Sequence, residues 1–262
     1  MLLVTGADRS HGASLRQLLR SVRRHEPNLR VVVYDLGLTI WQRLRIGRRR
    51  QLEWRRFEFE KYPTYFNIRV KAGEYAWKPV IIADLLEEAG EPVLWFDAGV
   101  VVLEPLTALR AALRTCGLYS PRSGGTIADW THPKMLAYFG LDTDWARDKP
   151  NLNGACCAFD PSFEEICVLA RRWREGALIK GCIAPEGSDR SNHRQDQALL
   201  TVLAHLAGLA GKSDPRPLGF LTHQDPERWK IRALTRLRDF LFPRGVPPAL
   251  KRLRAWLRSS PR

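Results

Sequence analysis

Apolar residues follow two rhythms along the chain. Continuous apolar runs at residues 2–5, 30–35, 93–102 and 153–159 read as strands buried on both faces, as in the middle of a mostly parallel sheet. Between them, apolar positions recur at helical spacing: Leu15, Leu18, Leu19 and Val22, then Trp77, Val80, Ile81 and Leu85, then Phe163, Ile166, Leu169 and Trp173. Further helices are predicted near residues 106–115 and 196–206. The first helix stops before Pro27, because proline disfavours helix for the residue ahead of it. Ser162 and Glu165 have the spacing of a capping box opening the helix that carries Phe163. A short strand is expected at 118–120, with loops at 122–133 and 183–193. A basic stretch (41–56) and an aromatic one (57–66) separate the second strand from the helix of Trp77. The opening strand–helix–strand unit predicts a parallel pair with a right-handed crossover. The alternation as a whole predicts an α/β sandwich.

The informative break in this pattern is Asp97. Val93-Leu-Trp-Phe-Asp97-Ala-Gly99-Val-Val-Val102 is strand-forming except for one carboxylate and one glycine. A carboxylate in such a run costs several kcal/mol, order of magnitude, unless it is paired. It reads either as a capped strand end or as a ligand site at the carboxyl edge of the sheet, where open α/β folds bind ligands. The second strand also ends in an acid, Asp35, which the parallel arrangement places at the same edge.

Length and composition fit one folded α/β domain: 262 residues, 45% apolar, nine tryptophans. The net charge of +14 changes the picture more. Between Arg228 and Arg262 stand 11 basic residues and one acid, so most of the basicity belongs to the last 35 residues. The chain therefore divides into a catalytic-looking domain, 1–226, and a basic tail, 227–262. In the tail, Ile231, Leu234, Leu237 and Leu241, and then Leu250, Leu253 and Leu257, recur at helical spacing among arginines. Such basic amphipathic helices suit an anionic membrane surface, or the apolar side packs on the domain. No recognised nucleic-acid-binding motif accompanies the charge, which argues against that partner. The longest apolar stretch without charge, 198–211, is too short to span a bilayer. The amino terminus shows no secretory pattern. Five scattered cysteines without C-x-x-C spacing point to neither a disulfide framework nor a zinc site. The expected location is cytoplasmic, with the tail allowing a peripheral position at the inner membrane face.

Val4-Thr-Gly-Ala-Asp8 invites a dinucleotide-binding reading, but the only later glycine is Gly12 and no tyrosine has a lysine four residues on. A P-loop is also absent. Five segments taken in order fit better: residues 31–39 (VVVYDLGLT), 75–79 (YAWKP), 94–102, 153–160 and Arg194-Gln-Asp-Gln197. Together they resemble the GT-A glycosyltransferases, in plan glycogenin, the lipopolysaccharide galactosyltransferases and a related group of predicted glycosyltransferases. The resemblance implies a Rossmann-like, mostly parallel sheet flanked by helices. It implies transfer of a hexose from a nucleotide-sugar, a UDP-sugar, to a glycan or lipid-linked acceptor.

It also implies roles for residues. Thr5, Ala7 and Asp8 would hold the uracil and ribose, with Asp35, Lys78 and Asn153 as further donor contacts. Asp97 matches the first acid of Asp-x-Asp, and His223 the carboxyl-terminal metal histidine. With the donor diphosphate and waters they would hold Mn2+ or Mg2+. The second acid is replaced by Gly99, so basic residues such as Lys78 could instead neutralise the phosphates. Asp196 and Gln197 match a pair lining the sugar pocket. An inverting reaction would use Asp129 or Asp196 as base, and a retaining one would place Gln197 near the reacting face. The readings set beside it are another nucleotide-sugar enzyme, or a non-catalytic membrane- or polyanion-binding module on a degenerate transferase fold.

Overall fold

The computed structural model describes residues 1–47 and 50–226. The helical tail expected at 227–262 lies outside the described residues. The elements run in the order β1 (Leu2–Ala7), α1 (Gly12–His25), β2 (Val31–Asp35), α2 (Ile40–Ile46), β3 (Leu52–Arg56), α3 (Trp77–Ala89), β4 (Val93–Phe96) and β5 (Val101–Val102). They continue with α4 (Thr107–Cys116), β6 (Leu118–Tyr119), β7 (Arg122–Thr126), α5 (Ile127–Trp130), α6 (Pro133–Tyr138), α7 (Thr143–Ala146), β8 (Pro150–Leu152) and β9 (Cys156–Phe159). Last come α8 (Glu164–Ala177), α9 (Lys180–Ile183), α10 (Gln195–Leu206) and β10 (Phe220–Leu221).

The main sheet has the order β3-β2-β1-β4-β9-β6. Its first four strands are parallel, and β9 runs antiparallel to both β4 and β6. Alternate residues of each central strand enter opposite hydrophobic layers. Leu2, Val4, Val32, Val93 and Trp95 face the layer of α3, α8 and α10. Leu3, Val31, Val33, Leu94 and Phe96 face that of α1 and α4. Both faces are covered, which explains the unbroken apolar runs in the sequence.

Four local expectations change. The run 93–102 is two strands: the Asp97 amide makes the last bond across to β9, at the Ala155 carbonyl, and the Val100 amide then donates back to the Asp97 carbonyl, turning the chain. After that turn β5 pairs with β10 in a separate two-stranded sheet. The basic stretch contains α2, opened by a capping box of Thr39 with Gln42, and the edge strand β3. The expected loop 122–133 holds β7, paired with β8, and α5. The Ser162–Glu165 capping box does not form: Ser162 turns its hydroxyl to Asp160, and α8 starts at Glu164 without a side-chain cap.

Candidate functional site

Where β4 meets the antiparallel β9, the carboxyl ends of β1 and β4 open onto a cavity. Its walls include Ala7, Asp8, Lys78, Asp97, Asp196, Gln197 and His223, so seven of the eleven residues singled out from the sequence come together there. Backbone strain gathers at the same place. Among the described residues, six that are not glycine have left-handed φ: Lys71, Ala72, Glu74, Tyr75, Gln195 and His223. Ala72, Tyr75, Gln195 and His223 line the cavity, and Lys71 and Glu74 belong to the turn that Ala72 and Tyr75 share. Such conformations cost about 1–3 kcal/mol each and persist where surrounding packing over-determines them, often at functional sites.

Lys78 is the electrostatic centre. Ala76-Trp77 opens α3 immediately after the left-handed turn, which drives the lysine inward until 3% of its side chain is exposed. Its ammonium lies 2.7 Å from Asp196 Oδ2 and 3.1 Å from Asp97 Oδ1, and it donates to the Gly154 carbonyl at 3.0 Å. An ammonium has three protons, and three acceptors surround this one. In this arrangement Lys78 fixes two carboxylates at the cavity wall. Burial works against the ammonium, but Asp196 and Asp97 outweigh it and hold its pKa above the usual lysine value. Burial pushes the Asp196 carboxyl upward, against the pull of Lys78. Asp97 Oδ1 also accepts from the Trp95 indole at 2.7 Å.

Gly154 lets this cluster close. A Cβ there would lie 2.9 Å from the Cβ of Gln197 and 3.5 Å from Asp196 Oδ2. The glycine of Asn153-Gly154-Ala155 thus allows α10 to bring its first turn against the start of β9.

Gly99 has a spatial substitute. A Cβ built on it would lie 2.6 Å from Asp225 Oδ1, so a carboxylate from the far end of the domain fills the space beside the missing second acid. Asp225 is buried, accepts from the Ser14 hydroxyl at 2.8 Å, and lines the cavity with Asp97 and His223. The Gln224 amide, donating to the Gly99 carbonyl at 2.7 Å, pins the segment in place. Two carboxylates and an imidazole are a donor set suited to a hard divalent cation. Among the described residues, however, no three His, Cys, Asp or Glu side chains are gathered closely enough to hold an ion alone.

Sequence reasoning missed Asp225, His11 and Arg190 on the cavity wall, and it included Arg194 in the 194–197 segment without giving it a role. His11 Nδ1 lies 2.7 Å from Asp8 Oδ1, which also accepts from Ser10. Burial opposes the Asp8 carboxylate, but His11 and Ser10 outweigh it and lower its pKa to about 2. The same hydrogen bond raises the pKa of His11. Arg190 donates to the Tyr75 hydroxyl at 2.6 Å, and Arg194 stacks over Trp130 at 4.1 Å. The Asp8-x-x-His11 spacing at a helix start was the one local signal available. Loop arginines carry none.

Four expected site residues lie elsewhere. Thr5 is wholly buried in β1, and its hydroxyl has no partner among the described residues. Asn153 turns its side-chain oxygen onto the Ala155 amide, shaping the turn before β9. Asp35 accepts from the amides of Gly37 and Leu38, pairs with Arg43 at 3.3 Å, and borders a neighbouring groove. Asp129 closes the α5 capping box on Thr126, so its carboxylate is committed to a helix start outside the cavity.

A family model described as a protein of unknown function (DUF1647) matches residues 1–83. No curated protein matches the sequence. Among solved structures, an active-site mutant of LgtC aligns at TM-score 0.51 and 17% identity, over 86% of this chain and 88% of that one. Galactosyltransferase LgtC in complex with donor and acceptor sugar analogues aligns at 0.48 and 17%, over 96% and 99%. The apo bifunctional glycosyltransferase WbbM aligns at 0.49 and 12%, over 83% of this chain and 39% of that one. The first alignment shows a shared fold. The chain has the GT-A type of architecture, a mostly parallel sheet flanked by helices.

Proposed function

We propose that the chain is a glycosyltransferase that moves a hexose from a UDP-sugar to a glycan or lipid-linked acceptor. The observation that carries this reading is the buried Lys78 ammonium, which fixes Asp97 and Asp196 at the mouth of the sheet edge where GT-A folds place their ligand.

Breaking a sugar–diphosphate bond leaves negative charge on the departing phosphate, and groups that offset it there accelerate the step. Arg190 and Arg194 are the arginines on the cavity wall, and a guanidinium pairs well with phosphate oxygens. Asp97, Asp225 and His223 would hold Mn2+ or Mg2+ together with diphosphate oxygens, and a bound cation supplies charge neutralisation at the leaving group. Asp8 and Ala7 border the nucleoside end of the cavity. Asp196, with its raised pKa, and Gln197 face the sugar end, Asp196 as the stronger proton acceptor of the two. Asp225 beside Gly99 favours this reading over a degenerate, non-catalytic module. The peripheral inner-membrane position, through residues 228–262, and the cytoplasmic location belong to the same proposal.

Release of UDP from a panel of UDP-sugars, with and without Mn2+, tests it. Turnover by the wild type that falls at least about a hundredfold in Asp97→Ala, with an unchanged circular dichroism spectrum, is the expected result. Equal turnover by a folded Asp97→Ala protein would contradict it.

A further inference from the structure

The three most exposed large apolar side chains among the described residues stand together on α2: Ile40 (68% exposed), Trp41 (70%) and Leu44 (63%). This is an inversion of the usual arrangement, since a surface helix normally turns its apolar side to the core. At 100° per residue, Ile40, Leu44 and Trp41 fill one arc of the helix. Arg45 borders that arc on one side and Arg43 on the other. Ile46, on the opposite side, is the residue that enters the core. The Thr39–Gln42 capping box and the Gln42 side-chain bond to the Arg9 carbonyl fix the helix in this orientation. The exposed arc is therefore presented by a well-anchored element.

Charge narrows what covers this face. The sequence from Leu36 to Leu52 contains five arginines and no acid. The chain's own tail carries 11 basic residues and one acid between Arg228 and Arg262, so like charges oppose its packing here. A surface rich in negative charge, with an apolar interior within reach of a tryptophan and two aliphatic side chains, meets both requirements. Trp settles at membrane–water interfaces, and arginine stems span from apolar to headgroup depth. Arg43 also borders the groove shared by Asp35, Arg56 and Arg69, and that groove meets the main cavity at Leu36 and Ile68. A surface held by α2 would lie beside this groove, which opens toward the site.

We propose that α2 is a membrane-docking element, whose Ile40, Trp41 and Leu44 enter the interface of an anionic bilayer while Arg45, at the edge of that arc, meets the lipid headgroups. This claim concerns docking alone and stands apart from the transfer reaction.

The test uses the full chain and vesicles of phosphatidylcholine with and without phosphatidylglycerol. Brominated acyl chains quench tryptophans that enter the bilayer. Quenching in the wild type should exceed that in Trp41→Phe, the difference isolating Trp41 from the tryptophans of the tail. Ile40→Ser/Leu44→Ser should weaken partitioning onto anionic vesicles roughly tenfold. Equal quenching in the wild type and Trp41→Phe would overturn the proposal. So would an absence of vesicle binding, or a dimer in solution that Ile40→Ser/Leu44→Ser abolishes, which would assign the face to a second copy.

Discussion

A lysine so deeply buried has to find its partners inside the protein, and the partners of Lys78 are Asp97 and Asp196 on the cavity wall. Removing one member of a buried pair is costly, because the other is left without compensation. Lys78→Ala is therefore expected to lower unfolding free energy by about 3–5 kcal/mol, read from urea denaturation at neutral pH. A loss below about 1 kcal/mol would mean that the ammonium is not the tie between Asp97 and Asp196. Gly99 and Asp225 offer a second test at this scale. A methyl group on Gly99 would press on the Asp225 carboxylate at 2.6 Å. Gly99→Ala should destabilise by about 1–3 kcal/mol. In an Asp225→Ala background that cost should shrink by at least about 0.5 kcal/mol, whereas strict additivity would separate the two residues. Asp97 was legible in the sequence because a lone acid in an apolar run is conspicuous. Asp225 was not, since only the fold brings it across more than a hundred residues to Gly99. Lys78 was legible as a site residue, but its three acceptors are a product of tertiary packing.

The pair of Asp8 and His11 has a stated pH dependence. The folded-state pKa of His11 lies above the usual 6.5. Its interaction with Asp8 is thus fully present below 6.5 and lost as pH rises through the raised value. The His11 ring should titrate above 6.5 by NMR and return toward it in Asp8→Asn. A midpoint unchanged by that substitution would contradict the pairing.

At the scale of elements, the approach to α10 is held by a histidine. His193 is fully buried between the amide of His132 and the carbonyl of Ile183, tying the loop after α9 to the start of α6. Burial lowers its pKa to about 4, so the folded protein keeps it neutral where the unfolded chain binds a proton. Stability from this group is present above pH 6.5 and declines as pH falls toward 4, by up to about 3 kcal/mol. His193→Gln should flatten that decline in denaturation curves measured across this window, and an unaltered slope would remove the assignment. Elements with one dominant rhythm were readable in advance: α1, α3, α8 and α10 lie where helical spacing placed them, within a few residues. The misreadings share a cause. α2 shows an apolar face to solvent, so its pattern gave no sign of a core-facing helix. The run 93–102 bends because the Val100 amide turns back onto the Asp97 carbonyl and β5 then pairs with β10, a strand more than a hundred residues away that no local pattern records.

At the scale of the whole molecule, the order of strands and helices was enough to reach an α/β sandwich with a mostly parallel sheet, because continuous apolar strands demand covered faces, while the GT-A architecture came from the resemblance of five segments taken in order. The cavity then follows from one reversal of direction, β9 running against β4. That reversal brings Gly154 and the start of α10 to the edge where β1 and β4 present Asp8 and Asp97. The central claim is that this cavity binds a nucleotide-sugar. Thermal unfolding of the full chain with UDP and UDP-sugars, each with and without Mn2+, tests it most directly. The account predicts stabilisation of about 2.7 kcal/mol at a hundredfold excess over Kd, enhanced by the cation and absent in a folded Asp97→Ala protein. An unfolding temperature unmoved by every nucleotide and nucleotide-sugar, with or without Mn2+, would contradict it.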